Sequence, residues 1–259
     1  MSSTPEDFQE RVKINAKSAE GNAEYYDNFW KKFPVQPTGT ERSRGEFAAR
    51  MVALYKPDGA KRILDIGCGR GWMSSYLSSF GQVVGIDFAP EAIEGARKHY
   101  GEHGLFYVVD AYTDLATFSD SGQFDVIVCS EVIEHVEDQS TLLKQIHSLL
   151  NSGGLCILTT PNAHLWDKLR HIESFQQFIQ PIENWLLPKQ LRRLVVVNGF
   201  QVLQHEGFAV HGMRQGNPLE VFLQHRKIGQ MLREMGLGFL HGKWLLNVGM
   251  YQYLAARRK

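Results

Sequence analysis

Leu64-Asp65-Ile66-Gly67-Cys68-Gly69-Arg70-Gly71-Trp72 joins a short apolar run, Ile63 to Ile66, to a longer amphipathic one, Trp72 to Phe80. The first reads as a buried strand and the second as a helix. Glycines between them let the chain turn tightly and let a ligand come close to the backbone. Amides at the start of the helix then point into a cleft at the carboxyl edge of a sheet, where a ligand lies if the strand order reverses.

The same rhythm continues outward. Val83–Ile86, Phe106–Val109, Phe124–Cys129 and Leu155–Thr159 read as strands, with helices at Glu91–Tyr100 and Gln139–Leu150. Alternating strands and helices predict a parallel sheet covered on both faces. After Pro161 the pattern changes, and residues 162–187, with His164, Trp166, His171, Phe175, Phe178 and Trp185, read as an inserted cap. Pro188–Asn198 returns to helix, with proline in its first turn and Gly199 ending it. Phe200–Leu203 reads as a strand, 218–236 as an amphipathic helix and Val248–Ala255 as a last strand. Upstream, 1–57 reads as helical, with the aromatic cluster Glu24-Tyr25-Tyr26-Asp27-Asn28-Phe29-Trp30 and a break at Pro57-Asp58-Gly59. The expected organisation is one domain over 1–259: a helical cap at 1–57, a core at 62–160, and insertions at 161–187 and 212–242.

The composition narrows the function classes. The chain has 259 residues, 43% hydrophobic and 22% charged, with 15 Phe, 9 Tyr and 5 Trp, which argues against disorder. Net charge is zero, so whole-molecule steering to nucleic acid is not expected. The charge is uneven: nine acids and no Lys or Arg lie between Lys98 and Lys144, whereas Lys189 to Lys259 holds eleven Lys and Arg against three acids. Cys68, Cys129 and Cys156 make no disulfide framework and no CxxC pair, which suits a reducing compartment. No basic start is followed by an apolar run, and no stretch reaches the roughly 20 apolar residues of a membrane span. A soluble cytoplasmic protein is the expectation.

The glycine loop alone leaves its ligand open. Gly67 and Gly69 match the dinucleotide fingerprint GxGxxG, but its third glycine position holds Trp72, and the pattern present is GxGxG. Asp87 closes the second strand about 20 residues after the loop, where an acid accepts ribose hydroxyls of several adenosine cofactors. Asp110-Ala111 follows the third strand, and Ser130-Glu131-Val132-Ile133-Glu134-His135-Val136 the fourth. Leu149-Leu150-Asn151-Ser152-Gly153-Gly154 precedes the fifth, which exits into Thr159-Thr160-Pro161-Asn162.

Taken together over 63–162, these motifs resemble the class I S-adenosylmethionine-dependent methyltransferases, whose first motif is D-x-G-x-G-x-G. The Glu131–Val136 segment is similar to that of ubiquinone-biosynthesis O-methyltransferases and of small-RNA 2′-O-methyltransferases, although His164 and His171 do not reproduce the second histidine-rich motif of the small-RNA enzymes. The resemblance implies an α/β fold: a doubly wound, seven-stranded, mostly parallel sheet, its last strand antiparallel, with a helical N-terminal cap and insertions after strands 5 and 6. It implies S-adenosyl-L-methionine as cofactor, with Gly67, Gly69 and Gly71 against its methionine and ribose and Asp65 ordering the loop. Asp87 would hold the ribose, Phe88 pack on the adenine face, and Asp110 and Ala111 read the adenine edge. Cys68, Trp72 and Ser130 complete the expected cofactor lining, and Arg44 would reach the cofactor carboxylate from the cap.

Methyl transfer from a sulfonium needs nucleophile, methyl carbon and sulfur held in line. An alcohol or phenol must also lose its proton, best to a group with a pKa near neutrality, such as histidine. His135 is the candidate base, with Glu131 as the second catalytic candidate. Glu131, Glu134 and His135 are also suitable ligands for a divalent metal, but no clear fourth ligand accompanies them and no metal is assigned. Asn162, His164, Trp166 and His171 are expected around the acceptor, with Tyr26 and Trp30 closing the other side.

The expected acceptor is a small or lipid-like molecule, not a nucleic acid. The stretch 218–246 mixes apolar residues with His225, Arg226, Lys227, Arg233 and Lys243; it reads first as a helix packed on the cap or against a second copy, with a membrane surface as the alternative. Competing readings are an RNA or protein methyltransferase using the basic carboxyl-terminal third, a nucleotide-binding oxidoreductase, and a cofactor-binding scaffold without catalysis.

Overall fold

In the computed structural model, the described residues are 26, 29–31, 35–37, 39–56, 58–110, 115, 123–169, 182–208 and 250–259. Strand β1 (Arg62–Ile66) is central, with Ile63, Leu64 and Ile66 fully buried. It pairs in parallel with β2 (Gln82–Asp87) on one side and β4 (Phe124–Ser130) on the other. The full order is β3-β2-β1-β4-β5-β7-β6, where β3 is Leu105–Val108, β5 Leu150–Pro161, β6 Phe200–Phe208 and β7 Tyr251–Arg258. Strand β7 runs antiparallel to both β5 and β6, as the resemblance implied. The chain winds outward from β1 through β2 to β3, then crosses back to β4. The carboxyl ends of β1 and β4 therefore flank the crevice where such sheets take ligands.

Pleating sends alternate side chains to the two faces. Leu64, Ile66, Ile127 and Cys129 meet helices α4 (Gln139–Leu149) and α6 (Pro188–Val197) through Leu142, Leu143, Ile146, Leu191 and Val195. Ile63, Val83, Val126 and Val128 meet α1 (Gly39–Tyr55), α2 (Ser74–Leu77) and α3 (Pro90–Tyr100) through Phe47, Met51, Leu77, Ile93 and Ala96. On α1 the buried positions Gly45, Ala48 and Val52, with Phe47 and Met51, recur at helical spacing and turn Arg44 toward the sheet edge. Asp138 caps α4 by accepting from the Thr141 amide at 3.0 Å and its hydroxyl at 2.7 Å, an arrangement worth about 1 kcal/mol.

Two expectations need correction. The helix over Trp72–Phe80 shrinks to Ser74–Leu77. The hydroxyls of Ser74 and Ser75 donate to the carbonyls of Gly71 and Trp72, three residues back, at 2.6 and 2.7 Å, and the backbone amides there follow the same tighter spacing. The last strand runs Tyr251–Arg258 rather than Val248–Ala255. Its Ala255-Ala256-Arg257-Arg258 end carries little strand propensity, but it is held by β5 on one side and β6 on the other.

Within the insertion after β5, α5 (Ala163–Leu169) is helical, and 182–187 returns to the sheet with an isolated bridge between Asn162 and Leu186. The expected insertion at 212–242 and the stretch 218–246 lie outside the described residues. No helix among those described is long and apolar enough to cross a membrane. At the opposite edge of the sheet, a cavity of about 480 Å³ is lined by Asp58, Lys61, Arg62, Asp125 and Asn151. Asp125 there already accepts from the Lys61 and Arg62 amides and from Asn151, so its carboxylate anchors the strand starts.

Candidate active site

Gly67, Gly69 and Gly71 follow β1 with φ of 67°, 51° and 82°, the left-handed region that favours glycine. The third has a packing reason as well. A Cβ on Gly71 would stand 2.9 Å from Ala96 Cβ and from the Phe106 ring, so this position lets α3 and β3 close on the loop. A Cβ on Gly69 would run into the Trp30 indole. Between them, Cys68 is buried, its amide bonded to Ile86 O at 2.9 Å and its sulfur 3.6 Å from Gly69 O. Burial, with Asp65 and Asp87 nearby, pushes its thiol well up, so it stays protonated.

Asp87 ends β2 with its carboxylate turned to that loop. Oδ2 accepts from the Gly69 amide and Oδ1 from the Ala89 amide, both at 2.9 Å. Asp65, 2% exposed at the end of β1, has an Oδ2 with no hydrogen-bond partner among the described residues. Burial and the neighbouring Asp87 charge push its pKa up to about 8, against the pull of Arg44. Arg44 comes down from α1 over the Trp72 ring, 5.5 Å from its centroid, and its Nη1 lies 3.8 Å from Glu131 Oε1. Its Nε is buried and likewise lacks a partner among the described residues. Burial opposes the Arg44 cation, but Glu131, Tyr251, Tyr253 and Glu41 outweigh it and its pKa rises.

Tyr26 and Trp30 were expected beside the acceptor. Tyr26 packs edge-on against Phe88, centroids 4.9 Å apart, and Trp30 lies over Gly69 with its carbonyl bonded to the Arg70 guanidinium. Both thus sit on the glycine loop and the residue after Asp87. Asp110 is half-buried just past β3. Ala111 and His171 lie outside the described residues.

Past β4 the chain turns sharply. Glu131 has a φ of 56°, the one positive value among the described non-glycine residues, and such strain concentrates at functional sites. Its carboxylate accepts from Thr159 Oγ1 at 2.9 Å; since that hydroxyl has given its proton, Ser130 donates to Thr159 at 2.8 Å. Glu134, 1% exposed, accepts from Thr160 Oγ1 at 2.8 Å. Burial, with Glu131 as a like charge, lifts the Glu134 pKa well above the carboxylate range, and burial lifts Glu131 as well. His135 closes a single 3₁₀ turn, Ile133–His135. Its Nδ1 lies 2.8 Å from Ile182 O; a carbonyl only accepts, so Nδ1 carries the proton and Nε2 keeps its lone pair. Glu134 Oε1 is 3.7 Å from Nε2 and Glu183 Oε2 is 3.9 Å from Nδ1. Burial lowers the His135 pKa, partly offset by the Ile182 bond.

Beside this turn, Asn162 is 0% exposed and its Oδ1 caps α5 by accepting from His164 N at 3.1 Å. His164 is exposed; Trp166 is buried, donates to Met250 O at 3.1 Å and packs on Trp185 and Tyr251. Tyr251 escaped the sequence reading. It joins that aromatic cluster to the charged turn: burial, then Glu131, raises its pKa, with Glu134 and Glu183 adding to the effect and Arg44 opposing it. Thr159 and Thr160 were read only as the exit of the fifth strand, because a threonine in a buried strand carries no signal of which carboxylate it meets.

A family model described as a methyltransferase domain matches residues 40–205, more than half of the chain. The chain belongs to the methyltransferase-domain family. It is a class I, Rossmann-like S-adenosylmethionine-dependent methyltransferase. The ubiquinone biosynthesis O-methyltransferase of Xanthomonas campestris pv. campestris is 40% identical over 170 residues, which cover 58% of this chain and 68% of that protein. That of Burkholderia pseudomallei is 31% identical over 160 residues, 58% of this chain and 69% of that protein. The Xanthomonas axonopodis pv. citri protein of the same name matches at 42% over 113 residues, and there the chain spans 46% of the relative's length. Solved structures agree in fold. A putative sarcosine dimethylglycine methyltransferase from Galdieria sulphuraria superposes with a TM-score of 0.59 at 14% identity, over 92% of this chain and 98% of that one. Magnesium protoporphyrin IX methyltransferase from Synechocystis PCC 6803, solved with bound SAH, gives 0.56 at 15%, over 95% and 100%.

The methyltransferase's own residues fit its cofactor. An amino-acid zwitterion needs a donor of positive charge and an acceptor of negative charge. Arg44 Nε and Asp65 Oδ2 are such a pair, both buried and both without a partner among the described residues.

Proposed function

We propose that this methyltransferase transfers the methyl group to an oxygen of a small-molecule acceptor, with His135 as general base. The cofactor supplies an electrophilic methyl carbon on a sulfonium. Arg44 and Asp65 take its carboxylate and ammonium, Asp87 its ribose, and Phe88 with Tyr26 its adenine. Glu131 keeps Arg44 oriented through their 3.8 Å contact. The acceptor lies between the His135 turn and the Trp166, Trp185 and Tyr251 cluster.

The observation that carries the base is the His135–Ile182 bond. It leaves Nε2 free to take the acceptor's hydroxyl proton, and the lowered pKa keeps the ring neutral and ready near pH 7. The choice of oxygen draws on the ubiquinone biosynthesis O-methyltransferase relatives. A lipid-like acceptor agrees with the basic and apolar composition of 218–246.

The test uses methyl-labelled S-adenosylmethionine and a cell extract divided into small-molecule, lipid, RNA and protein fractions. Label in the small-molecule or lipid fraction, on oxygen and lost in His135→Ala, is expected. Label in RNA or protein instead would move the acceptor to the basic carboxyl-terminal third and overturn the reading.

A further inference from the structure

Residues 182–187, the arm by which the insertion after β5 returns to the sheet, dock on the turn that carries His135. Besides the His135–Ile182 bond, Asn184 N donates to Glu134 O at 2.7 Å and Asn184 Nδ2 to Val136 O at 2.9 Å. Gln139, the first residue of α4, uses its amide nitrogen twice: Nε2 donates to Ile133 O at 2.9 Å and to Asn184 O at 2.8 Å. One side chain thus holds a carbonyl on each of the two segments. The far end of the arm is pinned by Gln252 Nε2, which donates to Leu186 O at 2.7 Å, and by Ala163 N, 3.3 Å from the same oxygen.

A neutral imidazole carries its proton on either nitrogen, and the hydrogen bond made by one decides the state of the other. The Ile182 carbonyl belongs to a different segment, 47 positions along the chain from His135. Its place depends on whatever holds the arm in register. Besides His135 itself, the Gln139 and Asn184 amides join the arm to the turn among the described residues, one from each side.

We infer that Gln139 and Asn184 are positioning residues for His135: their amides staple the arm to the turn, hold Ile182 O on Nδ1, and so select the tautomer with Nε2 open. This rests on the reading of His135 as the base. It couples the insertion to proton transfer, because the ring is set for catalysis only while the arm is docked. Gln139→Glu is nearly isosteric, yet it removes both donors and sets carboxylate oxygens against two carbonyl oxygens. Asn184→Ala removes the Val136 bond and leaves the backbone bond to Glu134 intact. One neutral hydrogen bond biases a tautomer ratio by roughly 2- to 12-fold, so the change is measurable without abolishing the fold.

The experiment is long-range proton–nitrogen correlation NMR on the full-length ¹⁵N-labelled protein with S-adenosylhomocysteine, the His135 signals being assigned with His135→Gln. The wild type is expected to carry its proton on Nδ1. In Gln139→Glu and Asn184→Ala the Nε2-protonated form is expected to rise several-fold, with S-adenosylhomocysteine affinity unchanged. A wild-type proton on Nε2, or an unchanged tautomer in both folded variants, overturns the inference, and a lower melting temperature alone does not rescue it. Should Gln139→Glu not fold, Asn184→Ala decides. If the tautomer moves as expected while His135→Gln still methylates at the wild-type rate, the staple stands and the base assignment falls.

Discussion

The carboxylate of Asp87 accepts a hydrogen bond from the amide of Gly69 at 2.9 Å, tying the end of β2 to the glycine loop after β1. The acid expected to meet the ribose therefore also holds the loop in shape. Asp87→Ala removes both functions. Hydrogen bonds to charged groups are worth roughly 1.5–3 kcal/mol, so S-adenosylhomocysteine affinity should fall by about 10- to 150-fold. Calorimetry on the folded variant measures this, and unchanged affinity would remove Asp87 from the cofactor site.

Arg44 should separate the two ends of the cofactor. Arg44→Ala is expected to weaken S-adenosylhomocysteine by about tenfold or more. It should leave 5′-methylthioadenosine, which lacks the amino-acid end, nearly unaffected. Equal losses for both ligands would mean that Arg44 serves Glu131 and Trp72 rather than a carboxylate.

Asp65 makes the protein's stability sensitive to pH. Its folded pKa, about 8, lies far above the ordinary aspartate value. Between the two values the folded chain keeps a proton that the unfolded chain has lost, so stability falls as pH rises through that window. An ammonium at Oδ2 favours the carboxylate instead, and ligand binding near pH 7 should release a proton. Thermal unfolding from pH 5 to 8 should show a shallower decline in Asp65→Asn than in the wild type. Parallel curves would place the titration on another group.

Gly71→Ala tests packing rather than ligand contact. Its φ of 82° and the 2.9 Å approach to Ala96 and Phe106 leave no room for a methyl group. The left-handed backbone costs about 1–2 kcal/mol and the overpacking about 1–3 kcal/mol. Urea denaturation should show a loss in the range of their sum. A loss below about 0.5 kcal/mol would contradict the tight closure of α3 and β3 on the loop.

His135→Ala should depress turnover while S-adenosylhomocysteine affinity stays within about twofold, a change worth about 0.4 kcal/mol. In the wild type, turnover should be lost on acidification with a midpoint below the ordinary histidine value, because burial lowers the ring's pKa. A midpoint above it would point to a different base.

Much of this protein was legible from residue order. Short aliphatic runs alternating with amphipathic ones specify parallel strands and covering helices. Three glycines between β1 and α2, an acid ending β2 and the Glu131–His135 segment ending β4 then fall at one sheet edge, because every parallel strand ends there. Those signals are local: each is carried by backbone preference and burial over a few neighbouring residues. The tertiary structure decided what joins residues far apart in the chain. It put Trp30 over Gly69, Arg44 between Trp72 and Glu131, and Tyr251 beside the carboxylates. It also set Ile182 O on His135 Nδ1 and drove Glu131, a residue with no intrinsic preference for it, into a left-handed turn. Periodicity cannot report such pairings, because they arise when separately specified elements pack together and their buried polar groups find partners.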